Sequence, residues 1–295
     1  MGRTHLLERM RADNLEAERR DGERRHFEYD WQAVAAHVPA YAAYVEQERA
    51  RLGETHPAFR TQYLLQPIAN AGRLFSASQL AQLQGTHVRM AWPVTGEVYA
   101  AGLDLAGGPE DPAPSRAGGR DSTVLTIGRV VPSAAGAIVQ DPRIEIVEHL
   151  AWTGESQDVL LPRLVDLLRE VWRVAAVAVD ATGLGETTAR ALAKALPHAR
   201  VEAVTFSAQR KSELGYALIA AVNGGRLKAY AGDGSPEHAA FHQQFARARM
   251  ALRSAGAMTF GVDPAEGHDD YMMSAALLVA AAWGARPRVA TGRVR

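Results

Sequence analysis

The sequence predicts a mixed α/β sheet flanked by helices and preceded by a helical extension. Three observations carry that reading. No strand-like alternation occurs before about residue 95. Three strand-like segments then follow one another between residues 98 and 150. From residue 156 onward, amphipathic helices alternate with short apolar strands. The expected organisation is therefore a helical extension over residues 1–95 and an α/β domain over 96–295.

The extension is charged. Leu6, Leu7, Met10 and Leu15 recur at roughly helical spacing among arginines and glutamates. A second helical pattern runs from Trp31 to Leu52, interrupted by Pro39. Residues 56–67 read as a short helix stopped by Pro67. Ser76 or Ser78 is placed to cap a helix over Gln79–Gln84.

In the domain, Val98–Leu105 is the first strand, and the Gly- and Pro-rich stretch from Ala106 to Arg120 is a loop. Asp121–Val130 and Arg143–Leu150 are the second and third strands, so the first three form an antiparallel meander. Ser156–Trp172 is an amphipathic helix that buries Val159, Leu160, Leu164, Leu167, Leu168 and Val171. Ala175–Val179 is wholly apolar, as a central parallel strand requires. Next come a helix over Glu186–Leu196, a strand over Val201–Val204 and a helix over Lys211–Val222. A short strand over Arg226–Tyr230, a helix over Glu237–Leu252 and a strand over Ala257–Val262 follow. A last helix covers His268–Trp283, and residues 285–295 read as a loose basic tail.

Composition narrows the function. Thirty-three basic residues balance 33 acidic ones, so no global charge marks a nucleic-acid binder, although a local basic groove stays open. Without cysteine, disulfides, thiolate metal sites and cysteine nucleophiles are excluded. The longest apolar run, Met272–Gly284, is too short to span a bilayer, and the charged N-terminus does not read as a signal peptide. A soluble, intracellular protein is expected. P-loop, His-Glu-x-x-His and Gly-x-Ser-x-Gly patterns are all missing from the sequence.

The chemistry lies in acids set at the ends of apolar segments. Asp104 closes the first strand, and Asp180 closes the fourth just before Ala-Thr-Gly-Leu-Gly. His268, Asp269 and Asp270 open the last helix, and Asp121 opens the second strand. A carboxylate in an apolar run is costly unless paired or bound to a cation. Oxygen-only ligands suit Mg²⁺ or Mn²⁺, and two such ions can drive phosphodiester hydrolysis. His268 or a metal-bound hydroxide would then be the general base. Each acid also has a plain structural explanation: a turn for Asp104, a helix cap for Asp180, and the helix dipole for Asp269 and Asp270. Gly183-Leu184-Gly185 is weak as a phosphate cradle. Arg210, Lys211 and Lys228 are candidate phosphate contacts, although solvated faces explain them better.

Taken together, Gly102-Leu103-Asp104-Leu105-Ala106, Asp121-Ser122-Thr123-Val124, Val179-Asp180-Ala181-Thr182-Gly183-Leu184-Gly185 and Gly267-His268-Asp269-Asp270 with Ser274-Ala275-Ala276-Leu277 resemble the nuclease domain of the large terminase subunit of tailed phages. The resemblance covers about residues 96–284. It implies an RNase H-like, RuvC-like fold and two-metal cleavage of concatemeric double-stranded DNA during genome packaging, in the bacterial host cytoplasm. Phe59–Leu65 and Gly72–Phe75 resemble the segment that joins the family's ATPase and nuclease domains, and residues 1–55 resemble the end of the ATPase domain. The ATPase core itself has no counterpart here, as expected of a piece of a longer terminase, a split gene or a decayed prophage remnant.

Carried over residue by residue, the resemblance implies that Asp104, Asp180 and one of Asp269 or Asp270 hold the metals, with Asp104 bridging both. His268 would assist and Asp121 would be an auxiliary. Many relatives carry another acid one turn later, where this chain has Met272-Met273. Implied partners are DNA, the ATPase half, the small terminase subunit and the portal, with no membrane. The alternatives are a nuclease-inactive module that docks on DNA or a partner, and a resolvase acting on branched DNA.

Overall fold

The computed structural model describes residues 6–52, 59, 62–65, 72–106, 122–133, 141–183, 185–252 and 257–285. The chain divides into two compact units, Met1–Gln79 and Leu80–Arg295. The first unit holds helices α1 (Leu6–Asp21), α2 (Trp31–Ala35) and α3 (Pro39–Leu52). Asp30 caps α2 by accepting the Ala33 amide, and a small core gathers Trp31, Val45, Phe59 and Tyr63. Helix α4 (Ala77–Leu83) starts with a capping box. The Ser76 hydroxyl accepts the Gln79 amide at 3.2 Å, and Gln79 Oε1 accepts the Ser76 amide at 2.6 Å.

The second unit is built on strands β1 (Tyr99–Asp104), β2 (Ser122–Val131), β3 (Arg143–Thr153), β4 (Ala176–Asp180), β5 (Arg200–Val204) and β6 (Leu227–Lys228). They form one sheet in the order β5-β4-β1-β2-β3-β6. The expected meander is present, since β1–β2 and β2–β3 are antiparallel. The pairs β1–β4, β4–β5 and β3–β6 are parallel. The helices are α5 (Gln157–Asp166, continued by a π turn over Leu167–Val171), α6 (Gly185–Ala195), α7 (Ala208–Asn223), α8 (Pro236–Arg247) and α9 (Asp270–Gly284). Among the described residues no helix is long and apolar enough to cross a membrane.

Two expectations are corrected. Val159 of α5 is 50% exposed, because the face set by Leu160, Leu164 and Leu168 turns it about 100° away to solvent. The helix read over Glu237–Leu252 ends at Arg247, and β7 (Arg249–Leu252) pairs antiparallel with β8 (Met258–Gly261) as a separate two-stranded ribbon. The apolar Met250 and Leu252 fit either a helical or an alternating pattern, and only the partner strand settles which.

Side-chain alternation sorts the sheet into two faces. Tyr99, Ala101 and Leu103 of β1, Val177 and Val179 of β4, and Leu125 and Ile127 of β2 pack into one core with Leu160, Leu164, Leu168 and Trp172. The other face of the same strands carries Ala100, Gly102 and Asp104, then Ala176, Ala178 and Asp180, then Val124, Thr126 and Gly128. Helix α9 lies on this second face and touches it backbone to backbone. A Cβ at Gly102 would stand 2.0 Å from Ser274 O and 2.3 Å from Leu278 N. Position 102 therefore admits only glycine. Gly102→Ala is expected to lower stability by about 1–3 kcal/mol or more, the usual cost of overpacking a core. Chemical denaturation followed by circular dichroism checks this, and an unchanged midpoint would contradict it.

Candidate metal centre

Three buried aspartates stand at one end of one sheet face. Strands β1 and β4 run parallel with Leu103 opposite Val179. Asp104 and Asp180 are the next residues on strands about 4.8 Å apart. Alternation turns both toward α9, and each is only 9% exposed. Both strands end here, so the carboxylates sit at the rim of the sheet.

Helix α9 brings the third acid. Its contacts step along β2 in order: Asp270 Oδ2 accepts the Ser122 amide at 3.2 Å, the Ser274 hydroxyl meets the Thr126 hydroxyl at 2.6 Å, and Leu278 lies over Gly128. The helix thus runs with β2 and against β1. Its first turn lies level with the C-terminal ends of β1 and β4. Asp270 is 6% exposed.

The two adjacent acids face different neighbours, as their roughly 100° separation on a helix requires. Asp270 turns to the six-stranded sheet. Asp269 turns to the ribbon, where its Oδ2 lies 2.6 Å from where a Cβ at Gly261 would be. His268 is half-buried in the lead-in to α9. Asp121 lies outside the described residues.

Backbone amides orient two of the carboxylates. Asp180 Oδ1 accepts the Thr182 amide at 2.8 Å, and Asp270 takes the Ser122 amide described above. Gly185 lies so close under Asp180 that a Cβ there would be 2.1 Å from Asp180 O. That close approach accounts for Gly185 without a phosphate. In this arrangement, among the described residues, no group of three or more His, Cys, Asp or Glu side chains is set to hold a metal ion.

The candidate phosphate contacts part company. Arg210 is paired with Glu202 at 2.5 Å and Glu213 at 2.9 Å. Lys228 donates to Gln82 O, and burial lowers its pKa. Lys211 lies over the Phe260 ring, 5.6 Å from its centroid.

Sequence reading did not single out the polar contacts beneath the acids. Ser274 Oγ donates to Tyr271 O at 3.0 Å. Its single hydrogen being used, it accepts from Thr126 Oγ1, which in turn accepts from His149 Nδ1 at 3.0 Å. This direction fixes the Nδ1–H tautomer of His149. The ring packs against Tyr230, Phe241 and Tyr271. Burial, then the nearby Arg89, His242 and His238 charges, lower its pKa to about 3, against an opposing pull from Asp233. Arg89 binds Glu148 at 2.5 Å, Glu237 at 3.2 Å and the His149 carbonyl at 2.8 Å, joining β3 to α8. Burial nevertheless leaves the Glu148 pKa raised. His242, half-buried beside His238, has its pKa lowered to about 4 by desolvation and then by that neighbour's charge.

No protein-family model and no curated protein matches the sequence. Solved structures do. The β5-β4-β1-β2-β3-β6 sheet with α9 across its face is an RNase H-like α/β fold, the one that solved phage large-terminase nucleases share. The large terminase nuclease from thermophilic phage G20c with bound magnesium is similar over 72% of this chain and 98% of that one, at 18% identity and a TM-score of 0.51. The same nuclease with bound cobalt gives the same identity, coverage and TM-score. The HK97 bacteriophage large terminase covers 94% of this chain with 61% of its own length, at 14% identity and a TM-score of 0.47. At these identities the likeness shows the fold.

The buried histidines make stability depend on pH. Unfolded His149 titrates near 6.5 and folded His149 near 3. Between those values the unfolded chain binds the extra proton. The contribution is therefore constant above pH 6.5 and is lost progressively as pH falls toward 3. Denaturation midpoints between pH 7 and 4 should fall, and more steeply for wild type than for His149→Asn. Equal slopes would contradict this.

Proposed function

We propose that the chain is a metal-dependent DNA endonuclease of the terminase large-subunit kind, cutting double-stranded DNA by phosphodiester hydrolysis. The observation that carries this reading is the in-register placement of Asp104 and Asp180 on adjacent parallel strands, with Asp270 on the same face at the same end. The RNase H-like fold supports it. So does the donor set, since carboxylate oxygens are the hard ligands that Mg²⁺ and Mn²⁺ take.

Asp104, Asp180 and Asp270 would hold the ions, with Asp104 central because β1 lies between β4 and β2. Bound there, divalent cations supply a nucleophilic hydroxide and neutralise charge on the scissile phosphate. The chain's own residues prepare that site. The Thr182 and Ser122 amides fix the carboxylate orientations of Asp180 and Asp270. The dry sheet face beneath them keeps water to the rim. His268, two residues before Asp270, is the proton acceptor at the mouth, and Asp121, next to Ser122, is an auxiliary acid. Asp269, turned to the ribbon, is not a primary ligand. The DNA, an ATPase half, the small terminase subunit and the portal are the partners of this reading, in the cytoplasm of a bacterial host.

A second reading, a nuclease-inactive module that docks on DNA or a partner, has one observation in its favour: no three-residue metal group is set among the described residues. Plasmid nicking in Mn²⁺, Mg²⁺ or EDTA separates the two. Wild type is expected to nick only with metal. Asp104→Asn and Asp180→Asn should lose nicking without losing the fold, and at position 180 asparagine retains the Oδ1 that accepts the Thr182 amide. Asp270→Asn should lose far more than Asp269→Asn. Well-folded wild type without metal-dependent nicking would favour the docking reading.

A further inference from the structure

We infer that Gln244 is a positioning residue of the carboxylate site: it caps α9 from a neighbouring helix and so sets where Asp270 stands. The inference rests on the nuclease reading above. A helix that begins with aspartate is normally capped by that aspartate, whose carboxylate accepts the amides two or three residues on. Helix α9 departs from this. Its N-cap residue, Asp269, makes no side-chain capping bond, and its backbone, at φ −123° and ψ 15°, lies outside the extended region that such capping needs.

The amides in question are taken by Gln244 of α8. Its Oε1 accepts the Tyr271 amide at 2.8 Å and the Met272 amide at 3.1 Å. Both donors are backbone N–H groups, so the side-chain atom between them must be the oxygen. A residue 27 positions upstream thereby performs the local duty of Asp269. The consequence falls on the acids. Asp269 stays turned to Gly261, and the first turn is pinned to α8 with Asp270 against the Ser122 amide. Without Gln244 the two amides lose their acceptor, and the N-cap residue, Asp269, is the one that helix capping ordinarily calls on. Its rotation into the capping conformation would turn the peptide that leads into Asp270.

Two variants of the full chain separate the acceptor from its packing. Gln244→Met keeps the length and removes the acceptor, while Gln244→Glu keeps both. Mn²⁺ binding is read from the electron paramagnetic resonance signal of free Mn²⁺, and amide hydrogen exchange is read at Tyr271 and Met272. Nicking against Mn²⁺ concentration is followed in parallel. Gln244→Met should weaken Mn²⁺ binding by about 10–100-fold, the usual effect of removing a group that orients a metal ligand. It should also speed exchange at the two amides, and Gln244→Glu should restore both. Unchanged Mn²⁺ affinity in Gln244→Met overturns the inference while the nuclease reading stands. A loss that Gln244→Glu does not rescue also overturns it, because packing would then be the cause. Wild type that neither binds Mn²⁺ nor nicks DNA overturns the nuclease reading itself, and the positioning role with it.

Discussion

The contact between α9 and β1 at Gly102 governs the geometry of this domain. A helix backbone reaches a strand backbone there with no side chain between them, which only glycine permits. Side chains normally hold a helix off a sheet, and at Gly102 that spacer is gone. The helix then cannot sit anywhere else along the strand without a Cβ collision. Four residues of helix separate Ser274 from Asp270, and two residues of strand separate Gly102 from Asp104. Each span is about 6–7 Å, since helices rise 1.5 Å and strands about 3.3 Å per residue. A contact in the middle of the sheet therefore sets two carboxylates level at its rim.

Bringing three buried aspartates to one edge opposes folding, because a buried carboxylate loses hydration. The chain offsets this with fixed dipoles. The amides of Thr182 and Ser122 point at Asp180 and Asp270, and Asp270 also occupies the first turn of a helix, where the peptide dipoles favour negative charge. The same devices serve a purely structural role for each acid singly. What a structural role does not require is that all three lie on one face at one end. The proposed site rests on that coincidence.

Much of this was legible in sequence, because strand alternation and chain breaks are local. The apolar run Ala176–Val179 ending in Asp180 declared both a central strand and its charged terminus. Ser76 with Gln79 declared its own capping box. Asp269 against Asp270 was not legible: a helix starting at either residue has the same pattern, and only the contacts with Ser122 and Gly261 separate them. Gln244 was hidden for a related reason. Its partners lie 27 and 28 residues away, and glutamine on a helix surface carries no signal of what it will meet. Strand β7 was missed, although its partner was not, because Arg249–Leu252 follows a helix without a glycine or proline to end it.

Helix α9 poses a problem of rotation that the polar chain beneath it resolves. Between Met272 and Ala282 its side chains are apolar except for Ser274, and a helix of alanines and leucines meets a flat apolar face almost equally well in several rotations. The Ser274 hydroxyl removes that freedom. It is buried: its hydrogen goes to the Tyr271 carbonyl of the same helix, and Thr126 is its partner across on the sheet. Thr126 is held in turn by His149, whose Nδ1–H leaves the threonine hydrogen free to point at Ser274. Turning α9 by one residue, about 100°, would part Ser274 from Thr126 and leave the buried threonine hydrogen without its acceptor. Asp270 lies one helical turn before Ser274, so the rotation fixed by a serine in the dry interior is the rotation that aims an aspartate at the rim.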